Sequence, residues 1–268
     1  MGYNRNMKRR FIALIAVVVV AGASGYYGLH AERGAKAEPS SNTTSYTSSA
    51  QPGSHLQPGV PNEFDKNAHS LTDPASIWVV ANKKRPLQPR DYAPSLVVPD
   101  ITLRSNISSD ERHVRPDTAA ALKQMADAAK AGGLTLTLES GYRSYNFQVN
   151  LYNTYVKQQG QAIADTQSAR PGYSEHQTGL AADLGGTTKP SCNVEQCFAD
   201  TPEGKWLAAN AYKYGFIIRY PLGKDSVTGY EYEPWHVRYV GTDLSAEMHN
   251  DGVQTLEEFF GLPAAPSY

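Results

Sequence analysis

Cysteine is scarce. The 268 residues contain two, too few for a disulfide-stapled miniprotein or a Cys-only zinc finger. No surplus of positive charge exists either. The 25 Lys and Arg are matched by 26 Asp and Glu, a net charge of −1. That argues against nucleic acid as the main partner, because phosphate binding needs a basic surface. There is no internal repeat. Large apolar residues are few across positions 30–69, which excludes a packed core there. What is plentiful is hydrophobic and aromatic material elsewhere, 40% and 10% of the chain, with 17 Tyr. The length allows one or two domains.

The N-terminus breaks the even charge distribution. Arg5, Lys8, Arg9 and Arg10 face no acid within residues 1–29, and Phe11 to Ala23 is apolar apart from Gly22. A basic flank before an apolar run is a signal peptide or a signal anchor. Ala21-Gly22-Ala23 suits cleavage by its small residues. Counting through Leu29 instead reaches roughly the 20 residues of a spanning helix, with Tyr26 and Tyr27 suited to the interface. No Cys follows the run, which speaks against a lipid-anchored lipoprotein. Under both readings the basic flank stays inside, and the bulk of the chain is extracytoplasmic, membrane-anchored or secreted. Residues 30–69, rich in Ser, Thr, Pro, Gly, Gln and Asn, read as a flexible tether.

The folded domain is expected over residues 70–268. Asp117 reads as the N-cap of an Ala-rich helix, 118–131, closed by Gly132-Gly133. Leu134 to Leu138 alternates with period two and reads as a strand. Ser144 caps a helix over 145–159 that ends at Gly160. Gly179 to Leu184 reads as a short buried strand. Thr201-Pro202 opens a helix with Pro at its first position, ending near Gly215. Phe216 to Tyr220 and Trp235 to Val240 read as strands, and 243–249 and 254–260 as helices. This order predicts an α+β fold, an antiparallel sheet with helices packed on one side.

His176 and Asp183 stand seven residues apart, and His236 follows about fifty residues later, three after Glu233. Two imidazoles and a carboxylate are a sufficient set for a catalytic zinc site, which keeps a fourth position open. Strand pairing could bring them together, and the small residues Gly179, Ala181 and Ala182 would permit close approach. The bland readings are a satisfied core or surface histidine and a turn aspartate. His30, His55, His69, His113 and His249 keep that reading.

The full pattern, Ser174-x-His176-x-x-Gly179-x-Ala181-x-Asp183 followed by Glu233-x-Trp235-His236, resembles the signature of VanY-type D-alanyl-D-alanine carboxypeptidases. These lie within the lysostaphin/D-Ala-D-Ala metallopeptidase/hedgehog group. Ser140-Gly141-Tyr142-Arg143-Ser144, Trp206-Leu207, Tyr214-Gly215-Phe216 and the segment Val80 to Pro94 extend the resemblance, which covers roughly residues 75–242.

The resemblance implies Zn2+ held by His176, Asp183 and His236 in a cleft on the sheet, with Glu233 as general base. It implies that Arg143 binds the substrate or its transition state, as its fork suits a carboxylate or oxyanion. It also implies that Gln148 and Ser174 contact the peptide terminus, against bland readings as a helix-face Gln and a turn Ser. Arg219 and Arg238 are rival cations, though strand arginines are often only solvated. Tyr173 either lines the cleft or packs, and Trp235 reads as a wedge behind His236. Outside the cytoplasm, Cys192 and Cys197 are expected to form a disulfide closing a small loop after Asp183, the competing reading being two thiolate ligands.

The implied activity is an exported zinc D,D-carboxypeptidase acting on the terminal D-Ala-D-Ala of peptidoglycan stem peptides. The rivals are an L,D-carboxypeptidase, a D,D-endopeptidase and a non-catalytic peptidoglycan-binding module. The partners expected are the stem peptide and, if the N-terminal segment is retained, the membrane.

Overall fold

The computed structural model describes residues 64–268. The apolar N-terminal run and the tether before Phe64 lie outside them. Among the described residues no helix is long and apolar enough to cross a membrane. Phe64, at the end of the stretch read as tether, stacks on Trp78 with ring centroids 5.5 Å apart.

Helix α1 spans Pro116–Ala131, starting two residues before the expected first position. Arg115 is the extended N-cap and Pro116 supplies the first helical residue, so Asp117 is not the cap. Its carboxylate sits in the first turn, where it complements the helix dipole and accepts from the amide of Thr118 at 2.8 Å. Helix α2, Tyr145–Gln159, is capped as expected: Ser144 Oγ accepts from the amide of Phe147. No hydrophobic periodicity announces the short α3, Gln161–Gln167, which follows directly after Gly160 at φ 84°. Helix α4, Pro202–Asn210, has the expected Thr201 cap. Single-turn α5, Asp225–Thr228, is followed later by α6, Thr242–Asn250, and α7, Leu256–Phe259.

Five strands form one sheet: β1 Thr102–Leu103, β2 Leu136–Ser140, β3 Ala181–Gly186, β4 Phe216–Tyr220 and β5 Glu233–Tyr239. Their spatial order is β1-β2-β3-β5-β4. The sheet is mixed, because β1 runs parallel to β2 while the other pairs are antiparallel. That departs from the wholly antiparallel expectation. The two-residue β1 offers no alternation to read, and the connection from it to β2 carries α1, the long crossover that a parallel pair requires.

Alternation divides the sheet into two unlike faces. Leu136, Leu138, Ala182, Leu184, Phe216 and Val237 point into one core with Leu122, Met125 and Ala129 of α1 and Leu207 of α4. Ala182 therefore serves the core rather than close approach to the centre. Trp235 packs against the same cluster, which makes it a support for β5 from behind. The opposite face is polar along β3 and β5. Beside it, Ile217, Trp78, Val80, Leu244, Leu256 and Phe259 form a second cluster.

Cys192 and Cys197 are disulfide-bonded, which leaves neither sulfur as a thiolate ligand. Asn193 ties this loop to the sheet: it donates to Glu139 Oε1 at 3.0 Å and accepts from the amide of Gly186 at 3.0 Å.

Buried carboxylates elsewhere make the fold acid-sensitive. Burial alone would raise Glu203 and Glu257, yet donors from Thr187 and Thr188 and the guanidinium of Arg219 hold both below their ordinary 4.5. A depressed folded pKa gives stability that is complete above the unfolded value and lost as pH falls through the folded one. The thermal midpoint should stay level above about pH 5.5 and drop steadily from about pH 4.5 towards pH 3. A midpoint that holds constant down to pH 3 would contradict this account.

Candidate metal centre

Strand register assembles the centre. Asp183 on β3 is the direct cross-strand partner of His236 on β5, so the two side chains rise from the same face as neighbours. Glu233 lies three residues before His236, and strict alternation would send it to the other side. An irregularity in the β4–β5 ladder prevents that: Ile218 pairs with Val237 but Tyr220 with Glu233, so two residues of β4 span four of β5. The extra length, with Pro234 inside it, turns Glu233 back towards His236, and Oε2 lies 3.4 Å from Nδ1. Pro is tolerated in such a bulge, where no ladder donor is needed.

His176 arrives from a 3₁₀ turn, Glu175–Thr178, ended by Gly179 in the left-handed region at φ 70°. A side chain there would crowd Arg115. His176 Nδ1 donates to the carbonyl of Gly141 at 2.6 Å, which fixes the ring and directs Nε2 inward. Gly141 has to be glycine, since a Cβ would collide with the carbonyl of His113.

The three side chains offer ligand atoms within 4.8 Å of one another, all of them buried. His176 Nε2 is 3.4 Å from Asp183 Oδ2, and His236 Nδ1 is 3.1 Å from Asp183 Oδ1. Tetrahedral ligands on bonds of about 2.0–2.1 Å sit about 3.3 Å apart. Among the described residues, His176 Nε2 and Asp183 Oδ1 find no hydrogen-bond partner and are buried, an expensive arrangement unless something else binds them. The residues fit a small divalent cation.

A model of the VanY family, D-alanyl-D-alanine carboxypeptidase, matches residues 111–242. A Bacillus subtilis protein described as putative carboxypeptidase YodJ is 44% identical over 192 residues, covering 71% of this chain and 69% of that protein. This chain belongs to the VanY family. Among solved structures, the LdcB LD-carboxypeptidase is 44% identical with a TM-score of 0.66, covering 70% of this chain and 87% of its own. A vancomycin resistance D,D-pentapeptidase VanY, solved in complex with Zn(II), is 30% identical with a TM-score of 0.56, covering 68% of this chain and 97% of its own.

Within this VanY-family site the charges are graded. Burial, with Arg143 beside it, lowers the His176 imidazole to about 4, so it is neutral at physiological pH, the form that ligates. Burial would push Asp183 up, but the facing His176 and His236 hold it well below the usual carboxylate range. Burial pushes Glu233 above its ordinary value, the direction that suits a general base working near neutrality.

Arg143 stands at the mouth of α2 with Nη2 3.2 Å from Asp183 Oδ2. Its Nε is buried and unpartnered. Gln148 is fully buried, and its Nε2 donates to Ser168 Oγ at 3.1 Å and to the carbonyl of Ala169 at 2.7 Å. Those bonds hold the segment leading to the metal motif. Ser174, also buried, accepts through its carbonyl from the amide of Gln177 at 3.2 Å. The structure thus gathers His176, Asp183, His236, Glu233 and Arg143 together, and shows Gln148 and Ser174 in contacts within the chain. Tyr173 packs edge-on against Tyr268 at 5.0 Å and under the guanidinium of Arg90.

Sequence reading passed over the ionic layer beneath the centre. Arg219 and Arg238 are not solvated but fully buried. Arg219 Nε and Arg238 Nη1 both donate to Glu175 Oε1, at 2.8 and 2.7 Å. Arg219 also forks onto Glu257, at 3.0 and 2.7 Å. Arg238 reaches the carbonyls of Ile77 and Val79 at 3.0 and 2.8 Å. One signal was present: Arg238 lies two residues after His236 and so shares its face.

Proposed function

We propose that this chain is an exported, zinc-dependent carboxypeptidase that removes the C-terminal D-alanine from peptidoglycan stem peptides. The observation that carries the reading is the set of three buried ligand side chains with Glu233 beside them. His176 Nε2, His236 Nδ1 and a carboxylate oxygen of Asp183 would hold the zinc. Zinc polarises a carbonyl and makes water acidic enough to react near neutrality. Glu233 takes the proton from the attacking water and returns it to the departing amine of D-alanine. Arg143 supplies the unpaired donor suited to a substrate oxygen or terminal carboxylate. Gln148 and Ser174 then act by shaping the segment that carries His176. Placement outside the cytoplasm is supported by the basic and apolar N-terminus and by the disulfide.

Two bonds compete as the target. Likeness to the LD-carboxypeptidase at 44% identity, against 30% for the D,D-pentapeptidase, favours the tetrapeptide, whose last bond joins an L-centred diamino acid to D-alanine. The family description, D-alanyl-D-alanine carboxypeptidase, favours the pentapeptide. Synthetic tetra- and pentapeptides incubated with the purified protein and read by mass spectrometry separate them. We expect loss of one alanine, faster from the tetrapeptide, abolished by a chelator and restored by zinc. Faster release from the pentapeptide reverses the order. Cleavage confined to cross-linked dimers makes the protein an endopeptidase, and zinc binding without any product makes it a binding module.

A further inference from the structure

Glu175 divides its two oxygens. Oε1 receives both buried guanidiniums, Arg219 and Arg238. Oε2 is buried and receives no donor from the described residues. The Nε2 of His236 is likewise buried and unpartnered. These two orphan atoms face each other at 3.8 Å. That is beyond hydrogen-bond range, but a shift of about 1 Å would close it. On the other side of the same ring, Nδ1 looks at Asp183 and Glu233, at 3.1 and 3.4 Å.

A neutral imidazole carries one proton. For Nδ1 to present a lone pair to a metal, the proton has to reside on Nε2, and an acceptor beyond Nε2 fixes that choice. His176 already has such an acceptor in the carbonyl of Gly141. Among the described residues, no backbone carbonyl plays that role for His236. We infer that Glu175 is the positioning residue of the centre: its Oε2 holds the Nε2–H of His236, and so keeps Nδ1 aimed at the metal. The two arginines neutralise the carboxylate without consuming the oxygen that His236 needs, and Glu257 of α7 fixes Arg219 from the far side. The inference deepens the zinc reading above and rests on it.

The test measures zinc affinity of the purified full chain by competition with a chromogenic chelator. Glu175→Gln keeps the shape. With its single oxygen taken by the arginines, it turns an NH2 towards Nε2, where a donor favours the wrong tautomer. We expect zinc to bind about ten- to a hundredfold more weakly than to the wild type. Glu257→Gln disturbs the same ionic layer away from His236 and should change zinc affinity less than about twofold. Equal zinc affinity of Glu175→Gln and wild type overturns the inference. An equal loss in Glu257→Gln also overturns it, since that marks a general effect of the layer. If Glu175→Gln fails to fold by circular dichroism, nitrogen NMR of the zinc-loaded wild type decides. Nδ1 bound to metal with a slowly exchanging Nε2–H supports the inference, and Nε2 bound to metal overturns it. No zinc binding by the wild type would instead remove the metal reading itself.

Discussion

Replacing Glu233 by Gln is expected to lower kcat about 10²- to 10⁴-fold, the range a positioned general base contributes, with zinc stoichiometry unchanged. The isosteric amide keeps the volume of the side chain in the bulge between β4 and β5 and adds no charge to a buried site. What it loses is the capacity to accept a proton from water and pass it on. Burial raises the Glu233 carboxyl above its ordinary value, which strengthens it as a base. Because the amide does not disturb Arg143 on the other side of the centre, KM for the peptide should move little. Steady-state kinetics on the preferred stem peptide, with metal content measured on the same sample, checks this. A kcat within tenfold of the wild type would remove Glu233 from the proton path. Loss of zinc alongside activity would make it a supporting group for His236 instead.

Local chemistry was legible in the sequence. The Ser144 cap, the Thr201-Pro202 helix start and the β4 strand each depend on residues within a few positions of one another. Spacing and residue type suggested a metal set of two imidazoles and an aspartate, and the cross-strand register of Asp183 with His236 explains how distant positions meet. Several features were not legible because they depend on partners far along the chain. Arg219 and Arg238 read as rival cations for the substrate or as solvated strand residues, since their counter-charge, Glu175 and Glu257, comes from a 3₁₀ turn and a C-terminal helix. Glu175 itself filled a position inside the motif to which no role was assigned, with nothing local to reveal the second imidazole above it. The resemblance implied that Gln148 contacts the peptide terminus; the bonds of its Nε2 to Ser168 and Ala169 lie twenty and twenty-one residues along the chain and could not be read locally. The parallel β1 escaped because a strand of two residues carries no pattern.

The second large effect concerns stability. Arg219→Ala should destabilise the fold by about 3–5 kcal/mol, the range for removing one member of a buried ion pair. Arg219 is fully buried and sends three donors to Glu175 and Glu257. Truncation leaves two buried carboxylates, with Arg238 as the remaining guanidinium bonded to Glu175, and no solvent to take up the missing charge. Arg219→Lys should recover only part of the loss, since an ammonium cannot reproduce the fork onto Glu257. Lys123 gives the contrast. It pairs with Asp127 at 2.9 Å on the exposed side of α1, and removing it should change stability by less than about 1 kcal/mol. Urea unfolding of the three variants against wild type makes the comparison. A loss below about 1 kcal/mol for Arg219→Ala would mean that water or a rearranged side chain reaches the layer. The carboxylates under His236 would then be less dry than the packing of α7 implies. If the large loss is found, α7 and the 3₁₀ turn that carries Glu175 share one electrostatic support for the fold, because Arg219 binds both Glu257 and Glu175.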